Sequence, residues 1–392
     1  MPDSIVIASA KRTPIGGLNG QFVSLSAPEL GAAAIKAAVA ASGLKPEDVD
    51  EAIIGCVLPA GIGQAPARQA VLGAGLPKST PCSTLNKVCG SGMKAVMLAH
   101  DQILAGSAAI VLAGGMESMS NAPHLLPKAR QGYRYGHAKV LDHMAYDGLE
   151  NAYDGKAMGT FAEATAEKYG FTREQQDAYA RESVTRAQRA VAGGTFKTEI
   201  APVTVKTKAG ETVIDTDETP GQCKIEKIPS LRPAFKPDGT VTAASSSSIS
   251  DGAAALIVMK ESDAKRRGLA PLARIIGHAS SAQEPQWFTT APVAAITRLQ
   301  QKLGWTQKDV DLYEINEAFA VVTLAAMKDL GLSHDKVNVN GGACALGHPI
   351  GASGARIIVT LLHALKARGG KRGIASLCIG GGEATAIAVE MI

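Results

Sequence analysis

Two cysteines and one histidine of this chain sit inside glycine runs. The blocks are Asn86-Lys87-Val88-Cys89-Gly90-Ser91-Gly92, Gly347-His348-Pro349-Ile350-Gly351-Ala352-Ser353-Gly354 and Cys378-Ile379-Gly380-Gly381-Gly382. A cysteine thiolate is a strong nucleophile, and histidine is the usual base that generates it. Glycine lets bare backbone N–H groups approach a substrate oxygen. Together these residue types point to acyl chemistry at sulfur rather than to metal binding or a structural role. The six cysteines, at 56, 82, 89, 223, 344 and 378, form no CxxC pair and no metal-ligand spacing.

Cys89 lies between a strand-like stretch and a helix that starts near Gly92. A helix N-terminus carries partial positive charge, which favours thiolate over thiol and offers free N–H groups to an oxyanion. The plain alternative is a buried structural cysteine, against which the Gly-Ser-Gly turn argues. His348 precedes a helix at Ser353, in a glycine-dense turn. Cys378 ends a strand; it either packs there or serves as a proton shuttle. Asn316-Glu317-Ala318-Phe319 is expected to begin a helix after the strand ending at Ile315. Asn316 is then an N-cap or an oxyanion donor, and the local sequence leaves both open.

The elements that must position these residues come as an internal repeat. Gly43 to Asp50 reappears as Gly304 to Asp311, an offset of 261. Ser91-Gly92, followed by an apolar helix, reappears as Ser353-Gly354 at an offset of 262, and Gly114-Gly115-Met116-Glu117 echoes Gly381-Gly382-Glu383. Two copies mean a duplicated domain rather than a solenoid. Each copy alternates short apolar strands with Ala-rich helices, which predicts an α/β fold of two similar halves packed together. His348 then takes nearly the place in the second copy that Cys89 takes in the first, so the two loops face each other across a pseudo-two-fold axis. The expected division is 1–118 as the N-terminal half, with 250–270 returning to it, and 271–392 as the C-terminal half. Residues 119–249 form an inserted loop domain for substrate binding and oligomer contacts. Within it, Thr172 and Gln175 predict a capping box for a helix ending at Ala192.

The chain has 392 residues, 46% hydrophobic and 4% aromatic, with 42 glycines. Its net charge of +4 is spread without like-charge blocks, so nucleic-acid binding has no support. No apolar run of eighteen residues and no N-terminal targeting pattern occur, so no membrane partner is expected. The cysteine usage fits a reduced intracellular compartment.

At these residues the sequence resembles the thiolase family, the acetyl-CoA C-acetyltransferases. The resemblance runs over essentially the whole chain: LNKVCGSGMKAV around Cys89, MGTFAE at Met158, SDGAAAL at Ser250, NEAFA at Asn316, NVNGGACALGHPIGASGAR around His348, and CIGGGE at Cys378. It implies a thiolase fold, with two pseudo-symmetric βαβαβαββ halves forming a layered α-β-α-β-α core. It also implies a ping-pong Claisen reaction. Cys89 would take an acyl group, with His348 accepting its proton, and Cys378 would remove the α-proton of a second acetyl-CoA. One oxyanion hole would use His348 and a water held by Asn316; the other would use the N–H groups of Cys89 and Gly380. Ser247, Ala243, Phe235 and Phe319 match positions lining the CoA channel, and Met158, Phe288 and Ala318 are expected to contact substrate. Coenzyme A is then a substrate, and no cofactor or metal is implied. The compact loop domain and the lack of a targeting segment point to short-chain, cytoplasmic use. Tetramers are usual in that group, and by position Leu125 to His137 resembles a tetramerisation loop, which implies a homotetramer (a dimer of dimers). Departures fall at Thr242 to Gly252, at Lys156 and at Trp287-Phe288; they bear on acyl-chain preference and CoA contacts.

Three other readings compete. A β-ketoacyl synthase has no need of Cys378, and neither has a cysteine hydrolase. A non-catalytic acyl-CoA or lipid carrier would be expected to lack Cys89, His348 or Cys378. Within the family, a broad-chain degradative 3-ketoacyl-CoA thiolase shares these residues with the short-chain type that forms acetoacetyl-CoA.

Overall fold

The computed structural model describes residues 3–208 and 210–392. Met1, Pro2 and Ala209, which the expected ranges include, lie outside the described residues.

The repeat appears as one strand-pairing scheme used twice. In the first half, β1 (Ile5–Arg12), β2 (Glu51–Gly55), β3 (Cys82–Leu85), β4 (Ile110–Ser118) and β5 (Ser250–Lys260) are ordered β3-β2-β4-β5-β1. β2 runs parallel to β3 and β4, while β5 is antiparallel to β4 and β1. In the second half, β6 (Ala273–Ala282), β7 (Leu312–Ile315), β8 (Arg372–Ile379) and β9 (Glu383–Met391) are ordered β7-β8-β9-β6. β7 is parallel to β8, and β9 is antiparallel to β8 and β6. A parallel bridge from Tyr313 to Val337 stands where β3 stands beside β2. β1 and β6 pair at Val6–Arg274 and Ile7–Ala273, joining the halves into one hydrogen-bonded array.

Strand periodicity builds the layers. Successive side chains point to opposite faces, so Ile110 and Leu112 face an outer cluster while Val111 and Ala113 face the centre. Ala375 and Leu377 likewise face the centre, and Ile374 and Cys378 face the other outer cluster. The outer layers are α1 (Ala27–Ser42) with α2 (Pro66–Gly73), and α6 (Ala291–Leu303) with α7 (Ala320–Leu330). Between the sheets lie α3 (Ser91–Ala105) and α8 (Ile350–Arg368). The result is helix–sheet–helix–sheet–helix. α8 is long and apolar enough to cross a bilayer, but its apolar residues, Ile357 to Leu362 among them, are buried in the core.

Strand β5 was marked in the sequence only as a segment returning to the first half. It is buried on both faces, so it carries no alternation to betray it. The inserted segment holds α4 (Met158–Tyr169) and α5 (Arg173–Ala192). Thr172 caps α5, accepting from Gln175 N while Gln175 accepts from Thr172 N at 2.9 Å. The insertion is fixed to the first half by the buried Arg12, which donates to Glu199 at 2.5 Å and to both oxygens of Asp217 at 2.7 and 2.9 Å.

Candidate active site

The turn that presents Cys89 is held under strain. Val88 has φ +46°, an unfavourable conformation for a β-branched residue. Three bonds hold it there: Val88 N to Asn86 Oδ1 at 2.9 Å, Ser91 Oγ to Val88 O at 2.7 Å, and Lys87 N to Ser91 Oγ at 2.8 Å. A side chain at Gly90 would place its Cβ 2.4 Å from Ile379 Cδ1, so the turn packs closely against the end of β8. Lys87 forms an ion pair with Glu383, tying this turn to the loop at Gly380-Gly381-Gly382.

The crossing of α3 and α8 brings the second loop to the first. A Cβ on Gly92 would lie 2.8 Å from Ala355 N, and one on Gly354 would lie 2.4 Å from Met93 N. The helices therefore touch backbone to backbone near their N-termini, where Cys89 and His348 lie. Both residues line one cavity of about 290 Å³. Gly380, Met158, Phe235 and Ser247 share its wall, as do Phe288, Ala318 and Phe319. Ala243 does not line it; this residue is exposed, further out on the segment that carries Ser247. Asn316 and Cys378 are fully buried just behind the wall.

Desolvation pushes the Cys89 thiol up to about 11, and the backbone N–H groups of Gly380 and of Cys89 itself pull the other way. The helix N-terminus was expected to favour thiolate; burial is the larger effect, and the resting group is a thiol. Cys378 is held well above the ordinary thiol range, first by burial and then by the neighbouring Cys89 sulfur. Burial, with Arg356 nearby, lowers His348 to about 3, so its imidazole is neutral. Ser353 Oγ donates to Pro349 O at 2.9 Å and lies 2.5 Å from His348 Nδ1. With its one proton so used, the hydroxyl accepts from Nδ1–H, which leaves Nε2 as the lone-pair nitrogen.

Asn316 is not a helix cap. Residues 316–319 stay non-helical, α7 begins at Ala320, and the N-cap is Phe319. The Asn316 amide instead lies with Nδ2 3.5 Å from His348 Nε2, while its Oδ1 accepts from Arg356 at 3.4 Å. Arg356 in turn pairs with Glu314 at 3.1 Å, all of it buried. Burial raises Glu314 to about 8 against the pull of Arg356.

The sequence reading missed Ser353 as the partner of His348, and it missed two anchoring carboxylates. Glu117 accepts from Val57 N, Leu58 N and Gly351 N at 3.0, 3.1 and 2.8 Å. It binds the start of α8 to the first half; burial raises it to about 7. Glu317 accepts from Tyr179, Ser183, Asn338 and Cys344 N at 2.7 to 3.0 Å. It locks the segment leading to His348 onto α5. Both glutamates lie in segments singled out for other reasons, Glu117 in the repeat and Glu317 beside Asn316. Their unusual burial was the absent signal.

The family model for the N-terminal domain of thiolase matches residues 5–262, and that for the C-terminal domain matches residues 269–391. The chain belongs to the thiolase family. This thiolase is 51% identical to the acetyl-CoA acetyltransferase of Allochromatium vinosum, covering 100% of both chains. It is also 51% identical to acetyl-CoA acetyltransferase 2 of Arabidopsis thaliana, covering 100% of this chain and 98% of that one. The solved acetyl-CoA acetyltransferase of Bacillus anthracis superposes with TM-score 0.97 at 42% identity, covering 100% and 99% of the two chains. A thiolase of Ascaris suum, solved with coenzyme A, gives 0.94 at 43%, covering 99% and 100%. The expected thiolase fold is the fold observed, and the chain is an acyltransferase.

Proposed function

We propose that this thiolase condenses two acetyl-CoA molecules to acetoacetyl-CoA and CoA, and runs the reverse thiolysis, through an acyl group on Cys89. The observation that carries the reading is that Cys89, His348 and Gly380 share the wall of one cavity, with the histidine Nε2 unprotonated and the Cys89 and Gly380 N–H groups available to an oxygen there.

In the first half-reaction Cys89 Sγ attacks the thioester carbonyl and its proton passes to His348 Nε2. The carbon–sulfur bond to CoA breaks, and the departing thiolate takes the proton of Cys378, leaving that cysteine a thiolate and the Cys89 proton on His348 Nε2. The two N–H groups stabilise charge on the acyl oxygen. In the second half-reaction an α-proton of another acetyl-CoA passes to Cys378. A thioester α-carbon is a weak acid, so the base must be strong, and the environment that raises Cys378 makes its thiolate one. The carbanion attacks the acyl carbon on Cys89, the bond to Cys89 breaks, and the proton on His348 Nε2 returns to the freed sulfur, leaving Cys378 the thiol it was at the start. In this reading the enolate oxygen accepts from the protonated His348 Nε2 and from a water held by Asn316. Coenzyme A is a substrate throughout, and no cofactor enters.

The apolar walls, Leu149, Met158, Phe288 and Ile350 among them, and the modest volume support a short acyl group. Trp287 lies outside the cavity, under the Lys168 ammonium at 4.0 Å from its ring centre. A cytoplasmic homotetramer belongs to the same reading. Its support is the six free cysteines and the exposed Leu126, Tyr133, Tyr135 and Val140 around the ribbon of strands His124–Leu125 and Leu141–Asp142.

The test is CoA-dependent loss of acetoacetyl-CoA enolate absorbance, with Cys89→Ser alongside. Rapid cleavage by the parent and none by the variant is expected. A parent inert on acetoacetyl-CoA but active on longer 3-ketoacyl-CoA would favour the broad-chain type, and inertness on both would overturn the assignment.

A further inference from the structure

We infer that His100, Asp101 and His278 form a binding site for one divalent cation of the zinc class, remote from the acyl-transfer cavity. His100 and Asp101 lie in the last turns of α3, and His278 lies on β6 of the other half. Asp101 Oδ1 is 2.9 Å from His278 Nε2 and 3.2 Å from His100 Nδ1. The donor atoms of the three side chains all lie within 4.8 Å of one another. The two imidazoles meet edge to face, with centroids 5.1 Å apart, so both rings can turn a nitrogen toward one point.

The spacing suits a small metal. Zinc binds imidazole nitrogen and carboxylate oxygen at about 2.0–2.2 Å, which puts neighbouring ligands of a tetrahedron about 3.3 Å apart. The two nitrogen–oxygen separations here are close to that value before any adjustment. The exposed side of Asp101 leaves room for water as a fourth ligand. Two imidazoles and one carboxylate favour zinc, cobalt, nickel or copper over magnesium or calcium, which prefer all-oxygen shells. The C-terminal end of α3 adds the negative end of the helix dipole. One feature opposes binding: Lys302 donates to the His278 carbonyl at 3.4 Å and so holds a cation nearby.

The site is structural rather than catalytic. Cys89 precedes the N-terminus of α3 and His100 stands eleven residues on, about 16 Å along the axis at the helical rise. A bound ion would fasten the central helix that presents Cys89 to the sheet of the opposite half, and would stabilise the folded state by mass action.

The experiment titrates cobalt(II) chloride, read by its visible d–d absorbance, and zinc chloride, read by calorimetry. The full chain is used, with reactive thiols first blocked by iodoacetamide. One saturable site per chain is expected, with a band free of thiolate charge transfer and a rise in Tm on adding zinc. His100→Gln and His278→Gln are each expected to weaken binding at least about tenfold and to remove the Tm rise, while Lys302→Ala tightens binding. All three unblocked variants should keep thiolysis within about twofold of the parent, showing intact folds. No saturable binding at millimolar zinc, or binding unchanged in both histidine variants, overturns the proposal.

Discussion

His348 depends on a hydroxyl that does no chemistry itself. Ser353 accepts from Nδ1 and so keeps the lone pair on Nε2. Ser353→Ala removes that partner and leaves a buried N–H unsatisfied, at a cost of about 1–3 kcal/mol. If that cost falls on the transition state, kcat drops roughly tenfold to a hundredfold with little change in KM; steady-state thiolysis kinetics measure the split. The same burial sets the pH response. A free imidazole titrates near pH 6.5, but His348 is lowered to about 3 and Cys89 raised to about 11. Both groups therefore keep one protonation state across the neutral range. The profile of kcat/KM for thiolysis is expected to be flat from about pH 5.5 to 8.5; an acid limb centred near 6.5 would show that His348 titrates as an exposed imidazole. Residue types and spacing singled out Cys89, His348 and Cys378, and the family resemblance added Gly380. They did not show that desolvation outweighs the helix terminus at Cys89, because burial is decided by what packs around the turn.

At the scale of elements, the site is made where two helices cross. Gly92 and Gly354 let α3 and α8 touch closely enough to bring their leading turns to one cavity. Gly354→Ala would drive a methyl group to within 2.4 Å of Met93 N. Overpacking of this kind costs typically about 1–3 kcal/mol, and here it also separates Cys89 from His348. Calorimetry should show a lower Tm, and kcat should fall by more than the loss of folded protein explains. A fall in Tm with full specific activity would mean that the crossing can spread without harm. The helices themselves were legible in sequence, since their Ala-rich runs end at glycines. The extended segment at Asn316 was not. Its conformation is fixed by Arg356 and His348, residues 40 and 32 positions away, and no local pattern reports such partners.

At the scale of the whole molecule, the insertion is held by buried charge. Arg12 is fully buried between Glu199 and Asp217. Removing one member of a buried ionic group leaves its partners uncompensated, at about 3–5 kcal/mol. Arg12→Met is expected to lower stability by that amount in urea denaturation, whereas a triple change that also neutralises Glu199 and Asp217 should recover much of it. If Arg12→Met were as stable as the parent, the insertion would have to be held by other contacts.

The sequence by itself determined the duplication, the strand and helix alternation, and the three glycine-set blocks, because these rest on periodicity and residue type. It also carried the family through its motifs. Tertiary structure alone decided which side chains share the cavity, with Ala243 outside and Asn316 and Cys378 behind the wall. It decided that Ser353 fixes the histidine and that Glu117 and Glu317 anchor its loop. It also set which thiol and imidazole forms prevail. Protonation and hydrogen-bond partners depend on desolvation and on atoms far apart in the chain, and both exist only once the two halves have packed together.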